Sequence, residues 1–299
     1  MPSDTPAVHL IDASIYVFRA WYSMPDDFAD PHGRPTNAVY GFARFLCEFL
    51  EHTGSRHVAV AFDESLSTSF RNEIYPGYKA NREPAPADLE RQFGWCKDLV
   101  GSLGLPVYVH ERFEADDLIA SLSRYWRRRG HAIRVITGDK DLAQLVEGPD
   151  DAWWDFARNN RLDLAGIEAR FGVRPGQIAD YLALTGDPVD NVPGVPGVGP
   201  KTAAALLAHF QHLDGLFQRL DELAFLKIRG AKSLLPRLRR HEATVRLSRR
   251  LTGLEMPIAE IEDGEHDGRG AHDADRLDVL LDTLGFGQTL RQRLHRLAP

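Results

Sequence analysis

Val8-His9-Leu10-Ile11-Asp12 is a short apolar run that ends in a carboxylate, and the chain repeats that ending twice more. Val58-Ala59-Val60-Ala61-Phe62 leads into Asp63, and Val135-Ile136-Thr137-Gly138 leads into Asp139. Brief runs rich in Val and Ile read as buried strands. Between them lie stretches with helical spacing. Val39, Phe42, Phe45, Leu46 and Phe49 share one face of a helix over about 38–51, and further helices are expected near 14–21, 89–103 and 115–128. Residues 106–109 add another strand. Strand and helix in alternation predict an α/β fold with a doubly wound, mostly parallel sheet. In such a sheet all carboxyl ends lie along one edge, where open α/β folds bind ligands. One aspartate at a strand end could simply cap the next helix. Three of them, with more acids attached, point to a site.

The further acids are dense. Glu114-Ala-Asp116-Asp117 opens a helix, Asp139-Lys-Asp141 follows a strand, and Gly186-Asp187-Pro-Val-Asp190-Asn adds two more. On a helix Glu114 and Asp117 share a face, whereas Asp116 points about 100° away from Asp117. Nine carboxylates in one region would repel and hold on to protons unless cations were near. The donors are all oxygens, which favours Mg²⁺, or Mn²⁺ in its place, over Zn²⁺. Nine acids exceed what one ion needs, and two ions roughly 3.5–4 Å apart fit the number.

Composition permits this. The net charge of −7 looks wrong for a nucleic-acid binder, but setting the nine clustered acids aside brings 36 basic and 43 acidic residues close to balance. No apolar run reaches the roughly 20 residues needed to span a bilayer. The start shows no secretory signal. Cys47 and Cys96 have no zinc spacing and read as buried, reduced thiols, so a cytoplasmic protein that does not engage membranes is expected.

From about residue 164 the pattern changes to short helices joined by Gly and Pro turns. Gly194-Val-Pro-Gly197-Val-Gly199-Pro-Lys201-Thr202-Ala reads as a hairpin whose Pro200 starts a helix running to Phe210. Such a turn offers backbone N–H groups and a helix N-terminus to phosphate. Residues 263–273 read as a loose, solvated connection, and 274–297 as one or two amphipathic helices. No role is assigned to Trp153 and Trp154.

Taken in order, these motifs resemble the flap endonuclease/5′-nuclease family, in particular the 5′-nuclease domain of bacterial DNA polymerase I. The match runs from about residue 8 to about 250, and because no polymerase region follows, a stand-alone relative is expected. The resemblance implies a PIN-like nuclease core over 1–163 with an arch at about 65–87. A helical helix–hairpin–helix region over 164–257 and an extension over 258–299 would follow. It implies that Asp12, Asp63, Glu114 and Asp116 hold a first ion. Asp117, Asp139, Asp141, Asp187 and Asp190 would hold or orient a second. Lys79 and Arg82, in Gly77-Tyr-Lys-Ala-Asn-Arg82, would clamp the scissile phosphate alongside the catalytic carboxylates Asp116 and Asp139. Arg71, Phe18 and Arg19 would contact DNA, with Phe18 standing where relatives often carry Tyr. Gly194, Gly197, Gly199, Lys201 and Thr202 would grip the duplex backbone, and the hairpin is compatible with a K⁺ ion held by carbonyls. The implied reaction is hydrolysis of DNA at 5′ flaps, branches or single-stranded 5′ ends during replication or repair. The expected protein is a monomer of bacterial type, drawn to the nucleoid through DNA. Two other readings share these residues: a metal nuclease for RNA, and a junction-binding module without turnover. The hairpin favours DNA, and the complete set of acids favours turnover.

Overall fold

The computed structural model describes residues 5–25, 27–64, 68–226, 228, 231–266 and 268–297; Ser65, Leu66 and Ser67, the start of the expected arch, lie outside this set. The first half builds β1 (Ala7–Asp12), α1 (Ala13–Ser23), α2 (Asn37–Thr53), β2 (Val58–Ala61), α3 (Phe70–Ile74) and α4 (Ala87–Ser102), followed by β3 (Val107–Tyr108), α5 (Ala115–Arg127) and β4 (Ala132–Ile136). The second half adds β5 (Ala152–Asp155), β6 (Asn160–Leu162), α6 (Leu164–Phe171) and α7 (Ile178–Thr185). Then come α8 (Pro200–Phe210), α9 (Leu213–Gln218), α10 (Ala231–Thr252), α11 (Ala259–Glu262), α12 (Ala274–Leu284) and α13 (Gln288–His295).

The sheet runs β3-β2-β1-β4-β5-β6. β1 is flanked by β2 and β4 in parallel, with Leu10 opposite both Ala59 and Val135. Only β6 is antiparallel, paired to β5. After β3 the chain returns past β1 to lay down β4 on the far side. The order therefore reverses between β1 and β4, the place where a doubly wound sheet opens a ligand crevice beyond its carboxyl ends. Asp12 and Asp139 stand on either side of it.

Alternation along β1 divides the core. Val8 and Leu10 join one apolar layer with α5, α7 and α8, while Ile11 joins the other with α2 and α4. The strand-and-helix expectation for residues 8–137 matches these elements closely. β5 and β6 were not anticipated, and they supply the place of Trp153 and Trp154, both buried on β5.

The described residues beyond 257 pack on the rest of the fold. α11 packs on α5, α12 on α4 and α13 on α2. The preceding connection is pinned by backbone bonds, Arg269 N–H to Arg56 C=O at 2.9 Å and Gly270 N–H to Gly104 C=O at 2.7 Å. His266, expected to be solvated, instead bonds the Tyr108 hydroxyl at 2.9 Å. Leu277, Leu281 and Leu294 are fully buried in the layer that holds Phe42 and Leu46. Leu281→Ala is therefore expected to cost about 2–5 kcal/mol. Urea unfolding checks this, and a loss under 1 kcal/mol would show that the tail adds little to the core.

Candidate active site

The acids reach the crevice through local devices. Asp12 ends β1 and caps α1, accepting the Ile15 N–H at 3.5 Å on one oxygen. Its other oxygen takes the Thr137 hydroxyl at 2.8 Å, a bond from β1 to the end of β4. Asp63 accepts the Ala115 N–H at 2.9 Å, in the first turn of α5. Asp139 accepts the Asp141 N–H at 2.9 Å, which folds 139–141 into a tight turn. Trp153 donates its indole N–H to the Asp139 carbonyl at 2.6 Å, so β5 steadies that turn. Asp187 and Val192 exchange both backbone bonds, closing the loop that carries Asp187 and Asp190. A side chain on Gly194 would meet the Gly186 nitrogen and the Thr185 carbonyl carbon at 2.4 Å, so only glycine lets this loop shut.

Electrostatics divide the acids into two overlapping sets. Burial, then repulsion from Asp63, pushes the Asp12 carboxyl up to about 7. Burial and the charges of Asp139 and Asp12 hold Asp116 well above the carboxylate range. Burial and Asp139 do the same to Asp141, with Asp187 and Asp190 contributing. Burial raises Asp139 as well, helped by Asp190. Asp139 thus belongs both to the set with Asp12, Asp63 and Asp116 and to the set with Asp141, Asp187 and Asp190.

Side-chain cations provide the countercharge. Lys79 Nζ lies 2.9 Å from Glu114 Oε1 and 4.0 Å from Asp190 Oδ2. Arg82 pairs with Asp190. Lys140 Nζ lies 2.5 Å from Asp187 Oδ2. Burial opposes ionisation of Glu114, yet Lys79 and Arg71 hold its carboxyl below the usual value. The Tyr78 hydroxyl donates to Glu114 at 2.9 Å. The segment over 77–82 is stitched to the acidic loop, since the Lys79 N–H donates to the Asp190 carbonyl at 3.0 Å and the Asn191 amide to the Gly77 carbonyl at 2.6 Å. Lys79 itself adopts φ 53°.

Several expected site residues are differently employed. Asp117 is bound by Arg71 through both terminal guanidinium nitrogens, at 2.6 and 2.8 Å, and it also accepts the Glu114 N–H. Arg71 in turn is buried, donating also to the Leu251 carbonyl at 2.7 Å. Helical phase explains this, because Glu114 and Asp117 share the face toward Arg71 while Asp116 points to the crevice. Arg19 is committed to Asp155, at 2.6 and 2.7 Å. Phe18 packs edge-on against Phe93. Gly194 packs against the backbone of Thr185 and Gly186, where the 187–192 loop closes. Gly197 makes the hairpin turn at φ 78°, and Gly199 caps α8, where Pro200 takes the first position. Lys201 is exposed and Thr202 half-buried at that helix start. The roles of Thr137, Tyr78 and Lys140 were not foreseen, although each lies inside a stretch that reads as functional.

Among the described residues no three His, Cys, Asp or Glu side chains are placed to enclose an ion. Lys79, Arg82 and Lys140 are instead paired with Glu114, Asp190 and Asp187. The donor chemistry nonetheless suits hard divalent cations. The acids that face the crevice repel one another, and Asp141 Oδ1 is buried without a hydrogen-bond partner. No helix among the described residues is long and apolar enough to cross a membrane.

Comparison with known proteins places this geometry. Residues 7–172 match the family model described as 5′-3′ exonuclease, N-terminal resolvase-like domain, and residues 173–266 match the 5′-3′ exonuclease, C-terminal SAM fold. DNA polymerase I of Mycobacterium leprae is 38% identical over 295 residues, 97% of this chain and 31% of the relative. DNA polymerase I of Pseudomonas aeruginosa is 38% identical over 293 residues, 98% and 30%. The chain thus spans about a third of the length of these relatives. Among solved structures, T5 5′-exonuclease with divalent zinc superposes with a TM-score of 0.65 at 19% identity, covering 98% of this chain and 100% of that one. The catalytic core of Rad2 in complex with DNA substrate gives 0.65 at 18% identity, covering 98% and 92%. At these identities the structures attest the shared fold.

Proposed function

Because the chain belongs to the 5′-3′ exonuclease family, we propose that it is a structure-specific nuclease hydrolysing DNA phosphodiester bonds near 5′ ends, at flaps or branches, in replication or repair. The observation that supports this reading is the gathering of these carboxylates at the sheet's switch point, where burial and mutual repulsion raise Asp12, Asp116, Asp139 and Asp141. Asp12, Asp63, Glu114 and Asp116 would hold one Mg²⁺ ion, and Asp139, Asp141, Asp187 and Asp190 a second, with Mn²⁺ able to substitute. Bound ions would supply activation of water and neutralisation of charge at the phosphate and the leaving 3′ oxygen.

The chain's own groups do the rest. Lys79 and Arg82 stand beside Glu114 and Asp190 on the arch, close to where a phosphate would meet the acids. There they would offset negative charge developing on its oxygens. The N-terminus of α8, with Lys201 and Thr202, would take backbone phosphates of the duplex without reading bases. Backbone carbonyls of the glycine turn before it would receive K⁺. Phe18 keeps enough exposed surface to stack on an unpaired base. The protein would act as a monomer in the cytoplasm, at the nucleoid.

The test is cleavage of a 5′-labelled flap duplex in Mg²⁺ and in EDTA. Metal-dependent product near the junction is expected. Tight binding without cleavage in either Mg²⁺ or Mn²⁺ would refute the reading. Lys79→Ala should lower kcat about a hundredfold with little change in junction affinity. Single-turnover rates and binding isotherms separate the two, and a pure loss of binding would contradict the clamp role.

A further inference from the structure

Four side-chain cations touch the acids of the crevice, and they differ in how firmly they are held. Arg71 is 2% exposed and donates to two carboxylates and two backbone carbonyls, so it is fixed. Lys79 is 9% exposed and Arg82 33%, both on the arch. Lys140 is the most accessible, at 38%, although its partner Asp187 is 5% exposed. Its backbone is confined in the turn between Asp139 and Asp141, but its side chain borders solvent and can swing outward. Its Nζ lies 2.5 Å from Asp187 Oδ2 and 3.6 Å from Asp141 Oδ1, the oxygen with no hydrogen-bond partner. That point lies between two of the carboxylates proposed above to hold the second ion.

We propose that Lys140 is the resident cation of the Asp139–Asp141–Asp187 half of the site, and that a divalent ion must displace it in order to bind there. The inference rests on the two-ion reading above and adds a competitor to it. An ammonium and a divalent ion cannot both occupy the space between the same oxygens. Binding of one disfavours the other by the same free energy. Without the ion, Lys140 offsets part of the repulsion among these acids and lets the loop carrying Asp187 close. With the ion, the released side chain stands at the rim of the crevice. Lys140 therefore sets the metal concentration at which this half fills.

The experiment measures binding of Mn²⁺ by the free-Mn²⁺ electron paramagnetic resonance signal, which counts sites, alongside melting in EDTA. K140M should keep the stoichiometry, fill its weaker site at roughly tenfold lower Mn²⁺, and melt lower than wild type in EDTA. Saturating Mn²⁺ should close that gap, and K140R should resemble wild type. Unchanged or weaker Mn²⁺ binding by K140M would overturn the proposal. Lys140→Gln is measured in parallel. If neither neutral variant folds, Lys140 is a fixed structural cation like Arg71, and displacement is refuted. The underlying two-ion reading fails separately, if wild type binds fewer than two Mn²⁺ and Asp187→Asn changes nothing.

Discussion

Asp116→Asn should abolish cleavage and, in EDTA, melt at a higher temperature than wild type. The side chain points into the crevice from the first turn of α5 and makes no hydrogen bond among the described residues. Its replacement by Asn breaks no hydrogen bond among the described residues, and the attraction of Lys79 that it gives up is outweighed by the repulsion it relieves. If Asp116 holds a divalent ion as proposed, its loss should reduce turnover roughly a thousandfold or more. The stability gain has a separate cause. Burial, Asp139 and Asp12 raise the Asp116 carboxyl in the folded state, so its ionisation opposes folding. A group with a raised folded value contributes stability that is complete below the unfolded value and lost as pH rises through the folded one. For Asp12, raised in the same cluster, that window runs from 3.8 to about 7. The advantage of Asp116→Asn should therefore be absent near pH 4 and grow toward pH 8. Mg²⁺ should reverse the order by stabilising wild type more. Melting curves at several pH values with and without Mg²⁺ decide the matter. A variant less stable than wild type in EDTA at pH 8 would show that these acids do not repel as described.

Arg71→Met should be the most destabilising single change in the arch segment. It strands Asp117, 1% exposed, and removes donors from Glu114, Leu251 and Gly253. Breaking one side of a buried pair typically costs about 3–5 kcal/mol. For a chain of this size that corresponds to roughly 5–8 °C in Tm. The double variant Arg71→Met/Asp117→Leu removes both charges and should regain a good part of the loss. If it melts no higher than the single variant, the stranded carboxylate is not the cause. Cleavage by the double variant then reports whether this pair matters to chemistry beyond holding α3, α5 and the end of α10 together.

The strands and their terminal acids were legible because a buried parallel strand leaves a short Val/Ile run, and a carboxylate at its end is conspicuous. β5 and β6 were not, since Ala152–Asp155 is four residues with two tryptophans and carries no alternation. The acids of the site were also legible as a group, but their division of labour was not. Asp117 differs from Asp116 by one position, and only the placement of Arg71, far away in sequence, shows which of the two faces the crevice. Arg71 and Tyr78 sit in a run that reads as an exposed basic-aromatic surface. Burial came from the C-terminal end of α10, about 180 residues later, which no local pattern announces. Lys140 could have been suspected from its place between two aspartates, though its reach to Asp187 depends on how the 187–192 loop closes.

The packing of α12 and α13 onto α4 and α2 also bears on synthesis at the ribosome. Leu277, Leu281 and Leu294 cover apolar surface made by residues such as Phe42 and Leu46, which are translated far earlier. Until the last helices emerge, that surface is open to water and to other nascent chains. A long-range closure of this kind delays folding and leaves a partly covered intermediate prone to association. The N-terminal layer is thus a natural client for chaperones during translation, and a ribosome stalled before residue 274 would hold it in that state.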